Sequence, residues 1–372
     1  MRLGIDAQRL AGQRLGLGRY LEYMIRHWEK MVSPADQVTI FVRDPRLVTD
    51  RTVSNVFEVK CLRPALTGTT WQALVLSREA KNLDVLFCPS YMMPLGYRGR
   101  CVVAMHTVHE VQAATYPWWR RLTYGPIFRW SGRHADAVIV PAEATKQDLH
   151  AYCGIPESRI EVAHQGAPDS FAPIVDEAVL RATRKRYLGA DRPYLLFVGK
   201  LSQRRNIPIL LEAFADLKKR EKIPHALLLF GPNHLGLPLD RMTAELGISD
   251  SVVQTDGKIA NHDDLVPIYS AADLFVHPSS YEGFSMTLVE ALACGKPVVT
   301  VNVPAMREIA GGSAVLVERP TVDSLRDAMW RVLRDPGLAK ELSVKALERS
   351  RSFRWDECAR RTLDVLRRVA ER

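Results

Sequence analysis

Cysteine is scarce in this sequence. Six cysteines occur among 372 residues, at positions 61, 88, 101, 153, 294 and 358, and no two of them form a C-x-x-C pair. Thiols so far apart argue against a disulfide framework and against a zinc site of ordinary ligand spacing. They predict buried, reduced cysteines in a reducing compartment.

Long apolar runs are also missing. The segment Met1–Asp6 has no apolar signal run, and no stretch approaches the roughly 18 apolar residues that a membrane span needs. With 47% apolar and 25% charged residues, the composition is that of an ordinary globular protein with room for two domains. We therefore expect a cytoplasmic protein.

Positive charge is in excess, with a formal net charge of +9 at pH 7. Nucleic acid, an anionic membrane surface and phosphorylated substrates are the partner classes that suit this balance. No recognition helix, RNP-like strand or zinc finger is evident, so a nucleic-acid-binding protein is kept only as a rival hypothesis. Trp118-Trp119 followed by Arg120-Arg121 suits peripheral contact with the inner face of the cell membrane. A solvated helix face with a core tryptophan is the open alternative.

Short apolar runs alternate with amphipathic segments along the chain. Predicted strands lie at 2–6, 37–42, 84–87, 101–105, 137–140, 194–198, 226–230, 251–254, 273–276, 297–300 and 314–317. Predicted helices lie at 18–31, 70–81, 119–132, 142–152, 206–221, 239–246, 262–271 and 286–294. The alternation restarts after a basic, irregular stretch near 172–192. This order predicts an α/β protein with two doubly wound, Rossmann-like domains, at 1–175 and 190–353, followed by a basic amphipathic helix at 354–372.

Two glutamates, Glu282 and Glu290, mark the most informative segment. Glu282 falls in the loop after the strand at 273–276, and Glu290 falls about two turns into the following helix. The amides of Ser285, Met286 and Thr287 lie at the helix N-terminus, where unpaired N–H groups and the macrodipole attract phosphate. A carboxylate on each side of an anion site suits a nucleotide-sugar.

Other candidates in the second domain also fall where predicted strands end, which is where open parallel sheets bind ligands. Gly199 lets the chain turn, and Arg204 and Arg205 offer forked donors to diphosphate oxygens. Lys258 is a further candidate for the nucleotide site, whereas His277 is assigned to the core. A solvated charged loop is the plain alternative for these positions.

Candidates in the first domain depend on weaker patterns. Gly16 and Gly18 follow the first predicted strand and open a helix, which allows backbone amides to approach a phosphate. A flexible surface loop would carry the same pattern. His106 ends the strand at 101–105, where a lone histidine is more often a satisfied polar residue than a catalyst, and His109 is secondary.

The segment around both glutamates, with Pro-Ser before it and Ala-Cys-Gly after it, resembles the retaining glycosyltransferases of family 4, which have the GT-B fold. The resemblance implies that Glu282 holds the hydroxyls of the donor sugar and that Glu290 binds the ribose. Ser285 stands where many members have glycine, a departure that matters little if main-chain amides bind the phosphate. The resemblance also implies that the C-terminal helix crosses back to the first domain.

For the first domain, the resemblance implies that His106 contacts the transferred sugar. It also implies that Gly16 and Gly18 belong to a glycine-rich loop that faces donor and acceptor. Many relatives follow the histidine with aspartate, whereas this chain has Thr107, so roles assigned to that aspartate are not carried over.

The expected reaction is a retaining, metal-independent glycosyl transfer that needs no cofactor. Arg204, Arg205 (standing for the family's usual lysine) and the helix amides would stabilise the charge of the leaving group. No D-x-D dyad lies in a plausible loop, since Asp263-Asp264 is better placed to cap a helix.

The expected donor is a GDP- or UDP-sugar that carries a hexose such as mannose or glucose. The expected acceptor is a hydroxyl of a glycan or lipid-linked molecule in surface polysaccharide biosynthesis. Because the GT-B scaffold also hosts nucleotide-sugar epimerases and phosphorylases, these remain the alternative reactions.

Overall fold

The computed structural model describes residues 1–10, 16–44, 56–66, 68–108 and 118–372, without the side chains of 118–121. The chain forms two compact units. Unit 1 comprises Met1–Gln165 together with Arg354–Arg372, and unit 2 comprises Gly166–Phe353.

Unit 2 begins earlier in the chain than the alternation of strands and helices indicated. The segment after Gln165 packs on the second core, because Phe171 is buried there with its ring centroid 6.1 Å from that of Tyr269. The Ile174 amide also donates to Ser270 Oγ at 3.1 Å. An irregular segment leaves no periodic signal in the sequence, so its packing was not predictable.

Unit 1 is built on seven parallel strands in the order β3-β2-β1-β4-β5-β6-β7. They are β1 Arg2–Asp6, β2 Gln37–Val42, β3 Glu58–Cys61, β4 Val85–Cys88, β5 Cys101–Ala104, β6 Ala137–Val140 and β7 Ile160–Val162. The sequence did not predict β3 and β7, which are the two edge strands. Strand β3 is largely exposed and charged, and strand β7 spans only three residues, so neither forms a recognisable apolar run.

The helices of unit 1 lie close to the predicted positions. They are α1 Gly16–Trp28, α2 Gly68–Trp71, α3 Ser77–Glu79, α4 Trp118–His134, α5 Glu143–Cys153 and α14 Trp355–Ala370. A π-helix, Gln72–Leu76, joins α2 to α3.

Unit 2 is built on six parallel strands in the order β10-β9-β8-β11-β12-β13. They are β8 Tyr194–Val198, β9 Ala226–Phe230, β10 Val252–Thr255, β11 Leu274–His277, β12 Val298–Val301 and β13 Val315–Val317. All were predicted to within one residue, because each is a short apolar run followed by a turn.

The helices of unit 2 are α6 Glu177–Leu188, α7 Ile207–Glu221, α8 Leu239–Glu245, α9 Leu265–Ser270, α10 Met286–Ala293, α11 Pro304–Ala310, α12 Val322–Leu333 and α13 Pro336–Ser350. Helix α6 corrects the expectation of an irregular stretch near 172–192. Asp176 caps it by accepting a hydrogen bond from the Ala178 amide at 2.9 Å. Most of its side chains are exposed, so it lacks a broad apolar stripe.

In the ranges described, no helix is both long and apolar enough to cross a membrane.

Helix α14 returns to unit 1, as the resemblance implied. Trp355 stacks on Tyr23 with ring centroids 4.8 Å apart, and Trp28 Nε1 donates to the Ala359 carbonyl at 2.8 Å. At the far end of the helix, Arg100 donates to the carbonyl of Ala370 at 2.6 Å. Residues from both ends of the described chain therefore complete one core.

Three glycines bring the loops after β8, β9 and β10 into backbone contact. The Gly199 amide donates to the Phe230 carbonyl at 2.9 Å, and the Gly231 amide donates to the Thr255 carbonyl at 3.1 Å. A Cβ on Gly231 would lie 2.0 Å from the Gly199 carbonyl oxygen, and one on Gly257 would lie 2.7 Å from Gly231 Cα. Side chains at these positions would force the strand ends apart.

Replacement of Trp355 by alanine should destabilise unit 1. The indole is 3% exposed, and loss of a buried aromatic ring typically costs about 3–5 kcal/mol. Trp355→Phe should cost much less, because it keeps an aromatic ring and removes an indole N–H that has no hydrogen-bond partner among the described residues. Urea unfolding, with Val344→Ala at an exposed position as the control, measures the difference. Equal effects of Trp355→Ala and Val344→Ala would contradict this packing.

Gly231→Ala should destabilise unit 2 by more than about 1–3 kcal/mol, since a backbone atom blocks the added methyl group. Gly247→Ala is the matched control, because Gly247 has a left-handed φ of 68° but nothing within 4 Å of its Cβ position. Thermal unfolding of both variants separates the clash from the backbone strain. A Gly231 variant no less stable than the Gly247 variant would show that the loops do not touch.

Candidate functional site

The main candidates of unit 2 lie where its strand order reverses. β8 has β9 on one side and β11 on the other, and ligands of open parallel sheets bind at the carboxyl ends of such a pair. The loop after β8 carries Arg204 and Arg205, and the loop after β11 carries Glu282. Because the two strands pair directly, the structure brings these three side chains together.

Glu282 contacts both arginines. Its Oε1 lies 3.3 Å from Arg204 Nη1 and 3.3 Å from Arg205 Nε. Arg204 also donates to the backbone carbonyl of Tyr281, and Arg205 Nη1 donates to the Lys200 carbonyl at 3.3 Å. Two cations fixed by the backbone therefore surround one carboxylate.

The charge of Glu282 follows from these contacts. Burial by itself would raise the pKa of this carboxyl, but Arg205, the nearby His277 ring and Arg204 together hold the pKa well below its usual value. Glu282 Oε1 receives no hydrogen bond of good geometry within the described residues. The buried carboxylate is thus held by charge attraction from the two guanidiniums.

Asn206 locks the two loops together, a role that the sequence did not reveal. Its Nδ2 donates to the Pro278 carbonyl at 2.6 Å and to Ser280 Oγ at 2.7 Å. The Ser280 amide donates back to the Arg204 carbonyl at 3.1 Å. The relative positions of the arginines and Glu282 are therefore fixed by hydrogen bonds between the two loops, from the Asn206 side chain and from the Ser280 amide.

His277 belongs to the core and also touches the site. Its ring is fully buried and stacks on Phe197 and Phe275, each with a centroid distance of 5.9 Å. His277 Nε2 lies 3.6 Å from Glu282 Oε1 and 3.2 Å from Ser279 Oγ. Burial lowers the pKa of His277, so its ring is neutral near pH 7.

The start of α10 is capped by a serine side chain. Ser285 is the N-cap, and its hydroxyl accepts a hydrogen bond from the Leu288 amide at 3.2 Å. Met286 and Thr287 occupy the first turn, where backbone amides have no intrahelical acceptor. Serine at position 285 therefore stabilises the helix start.

Glu290 is buried in α10 and has partners that the sequence did not predict. His262 Nε2 lies 3.0 Å from Glu290 Oε1, and the Tyr269 hydroxyl donates to Oε2 at 2.8 Å. The His262 ring also packs against Phe171, with centroids 5.0 Å apart. A ribose at Glu290 would have to share or replace these hydrogen bonds.

The remaining candidate residues of unit 2 are two aspartates and a lysine. Asp264 caps the turn before α9 by accepting from the Asn261 amide at 3.0 Å, and Asp263 accepts from Ser170 Oγ at 2.7 Å. Lys258 is 72% exposed and pairs with Asp256 at 3.2 Å. Across the described ranges, no group of three or more His, Cys, Asp or Glu side chains is arranged to hold a metal ion.

In unit 1, His106 follows β5 and has a partner on each ring nitrogen. Nε2 lies 3.1 Å from the Pro89 carbonyl oxygen, and Nδ1 lies 3.0 Å from Gln165 Nε2. Burial lowers the pKa of His106 to about 4, although the hydrogen bond to Pro89 opposes the shift. The ring is therefore neutral at physiological pH.

Gly16 and Gly18 lie within the first turn of α1, whereas the sequence placed the helix start at position 18. Glycine is tolerated there because the first amides of a helix have no intrahelical acceptor. Gly16 is exposed, with no described atom within 4 Å of its Cβ position, and Gly18 is buried. His109 and the side chains of 118–121 lie outside the described residues.

A buried carboxylate, Asp6, ends β1 at the corresponding switch point of unit 1 and was missed from the sequence. Gln72 Nε2 donates to its Oδ2 at 2.6 Å, and Gln8 Nε2 donates to the same atom at 3.0 Å. Burial raises the pKa of Asp6 against the effect of these donors. The sequence feature that could have identified Asp6 is its position at the end of a predicted strand.

Curated relatives of known activity match most of the chain. The O-antigen chain mannosyltransferase B of Escherichia coli is 25% identical over 281 residues, which cover 74% of this chain and 72% of that protein. The D-inositol 3-phosphate glycosyltransferase of Streptomyces bingchenggensis is 31% identical over 288 residues, which cover 72% of this chain but 61% of that protein.

Solved structures match the whole fold. Sucrose-phosphate synthase from Thermosynechococcus elongatus superposes with a TM-score of 0.80 at 21% identity, over 99% of this chain and 98% of that one. HepE from Anabaena, solved in complex with UDP-glucose, superposes with a TM-score of 0.78 at 16% identity, over 98% and 99% of the two chains. At these identities the likeness concerns the fold, which is GT-B.

Family models account for both units. The model described as Glycosyltransferase Family 4 matches residues 15–171, and the model described as Glycosyl transferases group 1 matches residues 181–349. With the two doubly wound units and the returning C-terminal helix, these matches identify the chain as a glycosyltransferase of family 4 with the GT-B fold.

Proposed function

We propose that this enzyme transfers a hexose from a nucleoside-diphosphate sugar to a hydroxyl of a glycan or lipid-linked acceptor, with retention of anomeric configuration and without a metal ion. The observation that carries the proposal is the cluster of Glu282, Arg204 and Arg205 at the β8–β11 switch point, beside the start of α10. It combines an acceptor for sugar hydroxyls with donors for a diphosphate.

The two arginines supply the charge that a departing nucleoside diphosphate requires. Arg205 Nε is buried 3.3 Å from Glu282 Oε1, and we assign the remaining N–H groups of the two guanidiniums to the phosphate oxygens. The first-turn amides of α10 add donors on the same side. Donors that are fixed before the reaction stabilise developing charge without reorganisation. In this proposal the two guanidiniums and the helix amides take the place of the positive charge that a metal ion would otherwise supply.

Glu282 has the wrong environment for an acid catalyst. Its carboxyl is held ionised by the adjacent arginines, so it cannot donate a proton near neutral pH. We assign it to hydroxyls of the donor sugar, with Glu290 at the ribose and His106 at the transferred sugar. The acceptor hydroxyl then attacks on the face from which the diphosphate departs and gives its proton to the departing phosphate oxygen, so no covalent intermediate forms on a carboxylate.

The relatives support the class of donor and acceptor. A mannosyltransferase of the O-antigen chain and a UDP-glucose complex are found among proteins similar to this chain. We propose a GDP- or UDP-hexose as donor and a precursor of a surface polysaccharide as acceptor. Peripheral attachment to the inner face of the cell membrane through the basic segment 116–133 belongs to the same proposal.

Glu282→Ala and Arg205→Ala should each lower sugar transfer by about 10²-fold or more, because each removes a charged group aimed at the donor. Glu245→Ala and Arg241→Ala are matched controls, since these residues form an exposed ion pair in the same unit. Turnover of labelled nucleotide-sugar by the purified proteins measures the effect. Near-normal rates in both site variants would overturn the assignment.

The same assay distinguishes transfer from the alternative reactions. Transfer releases free nucleoside diphosphate only when an acceptor is present. Release of nucleotide or conversion of the sugar without any acceptor would instead support a nucleotide-sugar epimerase or phosphorylase.

A thermal-shift panel of GDP, UDP and their sugars identifies the donor, because a ligand that binds only the native state raises its stability.

Exhaustive treatment with EDTA should leave the rate of transfer unchanged, since arginine side chains and helix amides stabilise the leaving group in this proposal. The control is a metal-dependent glycosyltransferase assayed in the same buffer. Loss of activity that Mg²⁺ or Mn²⁺ restores would refute metal independence while leaving the transfer reaction itself intact.

A further inference from the structure

The hydrogen bonds of His106 determine which ring nitrogen carries its proton. Nε2 lies 3.1 Å from the backbone carbonyl oxygen of Pro89. A carbonyl oxygen accepts hydrogen bonds and cannot donate them, so Nε2 must carry the hydrogen. With a pKa lowered to about 4 by burial, the ring holds a single proton near pH 7, and Nδ1 is left with a lone pair.

Gln165 completes this arrangement from the other side of the ring. Its side-chain nitrogen lies 3.0 Å from His106 Nδ1, and the side chain is buried. Because Nδ1 can only accept, the amide NH₂ of Gln165 must face the ring, and this settles its orientation. A residue 59 positions away in sequence thus occupies the one nitrogen that could otherwise take a proton.

Aromatic side chains fix the plane of the ring. Tyr20 meets His106 edge-on with centroids 4.6 Å apart, and Tyr91 is perpendicular to it at 5.7 Å. Tyr91 has a φ of 71°, which is an unfavourable backbone conformation for a bulky residue. Strain of this kind persists where the surrounding structure requires one geometry, as at ligand sites.

We infer that Gln165 is a positioning residue that holds His106 as the neutral tautomer protonated on Nε2. The inference rests on the proposed function, in which His106 contacts the transferred sugar, and extends it to the state in which the histidine acts. His106 then offers the sugar a fixed, uncharged ring and does not serve as a general base, because both nitrogens are engaged by the protein.

The direct test determines which nitrogen of His106 is protonated in the full chain. Long-range ¹H–¹⁵N NMR of the histidine rings measures this. The His106 signals are assigned by their disappearance in His106→Gln. In the wild type we expect the pattern of a neutral ring protonated on Nε2 across pH 6–8. A ring protonated on Nδ1, or a mixture of tautomers, would overturn the inference.

Gln165→Glu provides a charge-changing variant of nearly the same shape. A carboxylate only accepts, so it favours a proton on Nδ1 as well and should raise the midpoint of the His106 titration by about 1–3 pH units. Gln147→Glu adds the same charge at an exposed position of unit 1 and should leave the midpoint where it is. Equal midpoints in the wild type and Gln165→Glu would refute the contact.

Gln165→Leu removes the donor without adding charge. We expect loss of the single-tautomer pattern and a fall in kcat of about 10- to 100-fold, as for a misplaced reacting group. The affinity for UDP or GDP should not change, because the nucleotide is assigned to unit 2. A parallel loss of nucleotide affinity and kcat, with an unchanged tautomer, would show a merely structural role.

The NMR readout separates this inference from the proposed function. If the wild type shows the fixed tautomer and the expected response to Gln165→Glu but transfers no sugar, the proposed function fails and the role of Gln165 in holding the ring stands. If sugar is transferred and the tautomer is insensitive to Gln165, the role of Gln165 fails alone.

Discussion

Burial of a carboxylate is tolerable only when donors or cations surround it, and this constraint shapes the sites of both units. Glu282 is held by two guanidiniums, Glu290 by an imidazole and a phenol, and Asp6 by the amides of two glutamines. These three solutions give different chemistry. The first keeps a full negative charge among fixed cations, whereas in the third burial raises the pKa of the Asp6 carboxyl despite its two amide donors.

Parallel topology explains why such groups gather where they do. In each unit the first strand, β1 or β8, lies at the switch point, so loops from neighbouring strands emerge side by side. Gly199 and Gly231 let the adjoining backbones touch, and Asn206 ties the loops of the charged cluster to each other. The site therefore derives its rigidity from main-chain contacts at the strand ends and from the side chain of Asn206.

What the sequence could predict follows from the range of the interactions involved. Buried strands form apolar runs, and strand ends locate Glu282 and the two arginines, so these features were predictable. Edge strand β3 is charged and helix α6 is mostly exposed, so neither has the periodic pattern of a core element. The partnership of Gln165 with His106 depends on tertiary contact between distant positions, and no local pattern encodes it.

The return of α14 to unit 1 has a consequence for synthesis on the ribosome. Unit 2 is continuous in sequence, and all of its strands have been synthesised before residue 354 is added. The core of unit 1 stays incomplete, with the surface around Trp28 and Tyr23 uncovered, until Trp355 and the rest of helix α14 leave the exit tunnel. The part of the chain made first is thus the last to complete its core, and a chaperone would find its apolar surface there.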